Sequence, residues 1–419
     1  MTAMIHMRAR TADTLRKART AILPAAAMLA ARIALAALTA LTALTAPPAL
    51  AATLRVQADG AGRFATIQSA IDAANAGDVI ELSDGTYTGA GNHDLDFHGQ
   101  SITVRAAGGD PARCVIDCAG ADWTTPHRAF HLHAGEDRRA RIAGLTIING
   151  RAWGDSLAAE RGGAICCENA SPTISDCVIA FSRARIGGAL SCAEGASPLL
   201  IDCTIRGNTA AQGGALHCWR SSPQIRRCFF IHNSADRGGG IACYEASIQA
   251  SDCTFDRNFA DAGGGVMCEA ASSLQAARTL FCGNQAGLGG GLCSEASQLR
   301  LQECTIVANS AGSGGGIIRY GTEEFSLTRC IIAYSIRGGA VVCDDETGVS
   351  VSCTLIYGNC AGDWAGPLAG LLGANGNLWT EPRFVNLARA DFTLSADSPG
   401  QAVSSGCGLI GAPDPKCKP

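Results

Sequence analysis

The chain has 419 residues, of which 51 are Gly, 21 Cys and 14 Pro, with 17% charged and 5% aromatic residues. That composition is too apolar and too weakly charged for a disordered chain, and no third-residue Gly period marks a collagen. A formal net charge of −4 without a basic block argues against a nucleic-acid partner.

The first segment differs from the rest. Arg8, Arg10, Arg16, Lys17 and Arg19 precede an Ala/Leu/Thr-rich run that leads to Ala49-Leu50-Ala51, an A-x-A pattern. Residues 1–51 therefore read as a cleaved secretory signal peptide, with Met28 as an alternative start. The apolar core at 33–46 is shorter than the about 20 residues a membrane span requires. Cleavage leaves 27 basic and 36 acidic residues, a net charge of −9. The sequence thus implies a secreted or cell-surface protein with no integral membrane segment after signal removal.

A helical stripe follows at 64–78, where Ile67, Ala70, Ile71 and Ala74 share one face. Thr66 or Ser69 suits its N-cap and Gly77 its stop. It reads as a lid over the open end of whatever follows, since an uncovered sheet end exposes core and strand edges. Strands begin at Asp78-Val-Ile-Glu-Leu82, and 94–148 holds further, less regular ones, with an insertion at 150–161.

From Gly162 a repeat takes over. Gly-Gly pairs open at Gly162, Gly187, Gly213, Gly238, Gly263, Gly289, Gly314 and Gly338, spaced by 24–26 residues. An aliphatic residue follows each pair, and then a Cys column: Cys167, Cys192, Cys218, Cys243, Cys268 and Cys343, with Ser294 and Arg319 as exceptions. A second column holds Cys177, Cys203, Cys228, Cys253, Cys304, Cys330 and Cys353. An Asn column closes the unit: Asn208, Asn233, Asn258, Asn284 and Asn309, then Asn359 one place late, with Ser182 and Ser335 as substitutes. The alternation within each unit has period two. A unit this small cannot bury its own apolar face, so units must stack, like over like, at about 4.8 Å. The prediction is an all-β fold, a parallel β-helix of about 12 coils at that spacing with a short N-terminal capping helix. Its divisions are a signal peptide (1–51), a cap (52–78), the coils (79–372) and a C-terminal cap and tail (373–419).

Thr66-Ile-Gln-Ser-Ala-Ile71, Ala76-Gly-Asp-Val-Ile-Glu-Leu82 and Gly85-Thr-Tyr87 resemble the start of pectate-lyase-like right-handed parallel β-helices. The Gly-Gly-Ala-Ile165 type of motif, with Phe230-Ile-His-Asn233, Phe255-Asp-Arg-Asn258 and Phe281-Cys-Gly-Asn284, is similar to the repeats of chlamydial polymorphic outer-membrane proteins. The two resemblances imply that the parallel β-helix is right-handed and lies at a bacterial surface or outside the cell. Unlike those outer-membrane proteins, the chain shows no set of ten-residue alternating strands at 360–419 for a terminal β-barrel.

The cysteine columns read as ladders of mostly free, buried thiols. Cys407 with Cys417, and Cys114 with Cys118, are the better disulfide candidates because they lie in irregular segments. His131 and His133 alternate with Phe130 and Leu132 and so face outward, but a metal there needs a third ligand such as His127. No metal site, cofactor or catalytic set is read. Asp344-Asp345-Glu346 is the one tight acidic run and reads as a solvated loop. Directly after the first Cys column stand Glu168, Ala193, Trp219, Tyr244, Glu269, Glu295, Tyr320 and Asp344. Trp219, Tyr244, Glu269, Glu295 and Tyr320 are the candidate ligand-binding residues, because aromatics at coil spacing can stack on sugar rings, while stacked acids need water or a bridging cation.

Two functions follow. The first is an exported non-catalytic β-helix, structural, adhesin-like or glycan-contacting, with a surface glycan or another surface protein as partner. The alternative is a polysaccharide lyase or glycoside hydrolase, which requires acids, His or Arg to converge in one cleft.

Overall fold

The computed structural model describes residues 51–119, 125–157, 159–402 and 406–413, so the signal-peptide reading of 1–51 lies, but for Ala51, outside the described residues. The chain winds as a right-handed parallel β-solenoid with three long parallel sheets of 12, 11 and 9 strands. The 12-stranded sheet runs from Thr53–Val56 to Val349–Ser352, the 11-stranded sheet from Gly85–Tyr87 to Leu355–Tyr357, and the nine-stranded sheet from Phe130–Leu132 to Val341–Cys343. Among the described residues no helix is long and apolar enough to cross a membrane.

The sequence columns are spatial columns. Cys167, Cys192, Cys218, Cys243 and Cys268 stand in direct register, continued by Ser294, Arg319 and Cys343. All five cysteines are buried and free. The Asn column is a hydrogen-bonded chain. The backbone N–H and Nδ2 of Asn208 both donate to Asn233 Oδ1 at 3.0 Å, and the pattern repeats from Asn233 to Asn258, Asn258 to Asn284 and Asn284 to Asn309. Each Nδ2 also donates to a backbone carbonyl of the preceding coil, as Asn258 does to Phe230 at 2.9 Å. Phe230, Phe255 and Phe281 stack inside at 4.7 and 4.8 Å, which is the coil spacing itself.

The Gly pairs exist because the bend leaves no room for a side chain. A Cβ on Gly264 would meet the Gly290 carbonyl oxygen at 2.5 Å, and Gly263 before it has φ +67°.

Several expectations need correction. The helix covers only Ile67–Asp72, capped by Thr66 in a capping box with Ser69. The apolar stripe does not extend it, because Ala73 already leaves the helix and Asp78 ties down Asn75 and Ala52 through its carboxylate. The coils begin before this lid: Thr53–Val56 pairs in parallel with Val79–Leu82, so the first strand precedes residue 79. In the C-terminal stretch the strand Asp391–Leu394 does not stack on the coils but pairs antiparallel with Phe384–Asn386. Leu368, in the 3-10 segment Gly366–Leu371, is what closes the core at that end. Beyond it, Phe384, Phe392, Leu394 and Ile410 lie against Leu280, Val307, Ile331 and Leu355, so the C-terminal stretch covers the outside of the 11-stranded sheet.

Cys353 leaves the second ladder. Cys177, Cys203, Cys253 and Cys304 donate their thiols to the carbonyl two residues back, and Thr354 Oγ1 makes that bond in the last coil, to Ser352 at 3.0 Å. Cys353 instead takes the positive-φ turn position held elsewhere by Asp202, Arg227, Asp252 and Arg278, whose side chains point outward and pair as Arg227–Asp202 and Arg278–Asp252 at 2.7 Å. From there it forms a disulfide with Cys407, so Cys407 is not bonded to Cys417, which lies outside the described residues. Cys114 and Cys118 are free and buried in the core; Cys114 opens the strand Cys114–Asp117, and Cys118 follows its end. Cys282 is disulfide-bonded.

Candidate functional site

Alternation along the nine-stranded sheet sends Ile165 and Cys167 inward and Cys166 and Glu168 outward. The outward row that starts at Glu168 continues in register through Ala193, Trp219 and Tyr244 to Glu269, and Glu295 pairs with Tyr320 further along. The five candidate ligand-binding residues therefore share one face. Their chemistry is more engaged than the sequence suggests. Arg161 and Arg220 both lie against the Trp219 ring, at 4.7 and 4.9 Å, so this indole is not an open platform. Tyr244 is open, at 44% exposure. The bridging cation required between the stacked acids is Arg237, which pairs with Glu269 and reaches Glu295 at 3.7 Å. Burial raises the Glu269 carboxyl above its ordinary value, Arg237 opposes this, and Glu295 adds to it.

At its N-terminal end the same face carries a histidine–carboxylate patch. His131 and His133 sit side by side, rings 4.6 Å apart. Leu95 pairs in parallel with Phe130, which places the 94–98 run beside them. Asp96 meets His133 at 3.3 Å and His98 at 3.1 Å. Asp94 accepts from Nδ1 of His93 at 2.9 Å, from Nδ1 of His127 at 2.7 Å and from the Arg128 backbone N–H at 3.1 Å. His127 is thus partnered with His93 and Asp94 and is not the third ligand that the His131–His133 pair lacked. His131 Nε2 lies 3.6 Å from Glu168, and Arg161 lies 3.5 Å from the other Glu168 oxygen. His131 and then Arg161 hold the Glu168 carboxyl below its ordinary value against its burial.

Asp94, Asp96, Arg128, His131, His133 and Trp153 line a groove of about 420 Å³. Trp153 comes from the insertion between the strand Thr146–Ile148 and the Gly162 bend, with Arg151 against its ring at 5.5 Å. Of this groove the sequence yielded only His131 and His133, and His127 stands outside its lining. The alternation His93-Asp-Leu-Asp-Phe-His98 was the available signal for the rest. Asp344 and Asp345 are loop acceptors, for Gly321 N–H at 3.0 Å and Thr347 N–H at 2.6 Å, and do not join the groove.

Asp94 yields a pH prediction. Burial raises its pKa, but bonds from His93, Arg128 and His127 outweigh this and hold it below its ordinary 3.8. The native state therefore favours the ionised carboxylate. Its stabilisation is present above the ordinary value and is lost as pH falls through the lowered native one. Asp94→Asn is expected to melt below the unaltered protein at neutral pH, with the difference closing in acid. A difference independent of pH in thermal melts refutes this.

The fold and this face define a parallel β-helix with an outer-surface groove. The family described as "Right handed beta helix region" matches the chain over residues 132–285. Among solved structures the chain is similar to pectate lyase Pel9A, at 13% identity and a TM-score of 0.48, covering 84% of this chain and 91% of that one. It is also similar to a mannuronic acid specific polysaccharide family 6 lyase from human gut microbiota, at 16% identity and a TM-score of 0.42, covering 74% and 81%. No curated protein matches, so the likeness to chlamydial polymorphic outer-membrane proteins is not supported by a match.

Proposed function

We propose that the chain is an exported β-helix protein that holds a glycan along the outer face of the nine-stranded sheet, from the Trp153 groove to Tyr244. The observation that supports this reading is the continuity of the face. Exposed aromatics, at 40% for Trp153 and 44% for Tyr244, flank a run of hydroxyl-binding acids, histidines and guanidinium groups. Strands Phe130–Leu132 and Ile241–Tyr244 are four ladder steps apart, about 19 Å at the usual strand spacing. That is the reach of an oligosaccharide, not of a single ring. Trp153→Ala combined with Tyr244→Ala is expected to weaken retention on the polysaccharide that binds best in a panel by about tenfold, taking about 0.5–1.5 kcal/mol for each aromatic face. Retention unchanged in the double variant, or no retention on any glycan, overturns the reading.

A second reading, cleavage of that glycan, is favoured by one specific observation. Asp94, Asp96, His131, His133 and Arg128 converge in a single groove, the arrangement that acid–base chemistry on a polysaccharide requires. Incubation with the same panel, followed by assays for reducing ends and unsaturated products, separates the two readings. Product formation that disappears in Asp96→Asn supports cleavage, and binding without product supports the non-catalytic role.

A further inference from the structure

The face described above contains a set of donor atoms, of which the readings above use only His131. Cys166 is outward-facing in its strand and yet fully buried, opposite His131 on the neighbouring strand. Glu168 follows two residues later on the same side. The donor atoms of His131, Cys166 and Glu168 all lie within 4.8 Å of one another.

We propose that His131 Nε2, Cys166 Sγ and a Glu168 carboxylate oxygen form a three-donor site for a borderline divalent metal ion, with Zn²⁺ as its natural fit. Three features point to it. First, His131 Nε2 is buried and has no hydrogen-bond partner among the described residues, although a nitrogen in that position ordinarily finds one. Second, the 3.6 Å between His131 Nε2 and Glu168 is too long for a hydrogen bond. It is close to the edge of a tetrahedron with metal bonds of about 2.0–2.3 Å. Third, Glu168 is already oriented: Arg161 holds its other oxygen at 3.5 Å, and Trp219 packs on the Arg161 guanidinium at 4.7 Å. A supported carboxylate of this kind is what surrounds a ligand in metal centres.

The donor set selects the metal. A thiolate with imidazole and carboxylate suits zinc or cobalt and discriminates against calcium and magnesium, which take oxygen donors. Binding moves the Cys166 proton to solvent, and the thiolate and carboxylate then balance the dication. Three protein donors leave a fourth position, the pattern of sites that keep one place for water or a ligand oxygen. His131 also lines the groove, so the site lies at the groove wall.

The test uses the full chain as exported, stripped with a chelator and titrated with Zn²⁺ alone by calorimetry, then with Co²⁺ in the spectrophotometer. One Zn²⁺ per chain is expected, with no competition from Ca²⁺, and Co²⁺ should give a thiolate-to-cobalt charge-transfer band. Cys166→Ser, Glu168→Gln and His131→Gln should each weaken zinc by at least the about 10- to 100-fold seen when supporting residues of metal sites are lost. Circular dichroism checks that the variants keep their β structure. His131 is partly exposed, so its variant carries the test if the buried Cys166→Ser misfolds. His93→Gln with His127→Gln should leave zinc binding intact. Failure to bind zinc at micromolar protein, a cobalt spectrum without the thiolate band, or equal zinc binding after His131→Gln each overturns the proposal.

Discussion

Replacing Asn258 by alanine should lower the unfolding free energy by about 3–6 kcal/mol, a large loss for the removal of one uncharged side chain. The size follows from the hydrogen bonds that meet there. Asn258 Oδ1 accepts from both the backbone N–H and the Nδ2 of Asn233, and its Nδ2 donates to the Phe230 carbonyl and to Asn284 Oδ1. All of these bonds are buried, and Asn258 is 1% exposed. Truncation removes the acceptor of the Asn233 backbone N–H and takes one bond each from Asn233 Nδ2, which keeps the Ile205 carbonyl, and from the Phe230 carbonyl, at about 1–3 kcal/mol each, partly recovered by relaxation or an entering water. Because each coil contacts only its neighbours, the damage should be local. Hydrogen exchange of the amides of Asn233 and Asn258 should accelerate while the coils near Ile116 stay protected. A denaturant midpoint within experimental error of the unaltered protein would falsify the view that the ladder is an energetic element.

The same geometry explains why the coils were legible and the groove was not. A solenoid writes its spatial columns into the sequence at constant spacing. Ile165 lies under Leu190 after 25 residues, and Leu190 under Leu216 after 26. Where that constancy holds, the columns of Cys, Asn and aliphatic residues, and with them Trp219, Tyr244 and Glu269, can be read directly. It fails at the N-terminal coils. Leu95 meets Phe130, and Phe130 meets Ile165, each after 35 residues. The extra length forms the loops that wall the groove, including the one that carries Trp153, and it hides the fact that Asp96 and His131 share a face with Cys166. Thus the feature that builds a cleft on a regular rod also removes the periodicity by which its residues could be found. Cys353 misled for a smaller reason: a shift of one position moves a side chain from the interior to the turn surface, and Thr354 took the inward place.

Arg319→Met should cost about 3–5 kcal/mol, from three buried carbonyls that lose their donors at about 1–3 kcal/mol each with partial relaxation, and expose two turns to proteolysis. Arg319 occupies an inward position of the first Cys column, between Ser294 and Cys343, and is 1% exposed. A guanidinium in that column looks like an error in the repeat until its partners are considered. Nη1 donates to the Asp345 carbonyl at 2.9 Å, and Nη2 to the carbonyls of Glu323 and Thr347 at 2.6 and 2.7 Å. These carbonyls belong to the turns that follow Ile317–Tyr320 and Val341–Cys343, and one side chain ties both turns to the core. Methionine preserves length and volume but donates nothing, so three carbonyls lose charge-assisted bonds together. Lysine keeps the charge on a single nitrogen that cannot span both turns, and Arg319→Lys should recover only part of the loss. Limited proteolysis should cut Arg319→Met at 321–324 and 344–348 well before any other site, with the lysine variant intermediate. Cleavage that begins elsewhere, or a lysine variant as stable as the native chain, is the outcome that rules out Arg319 as the tie between the two turns.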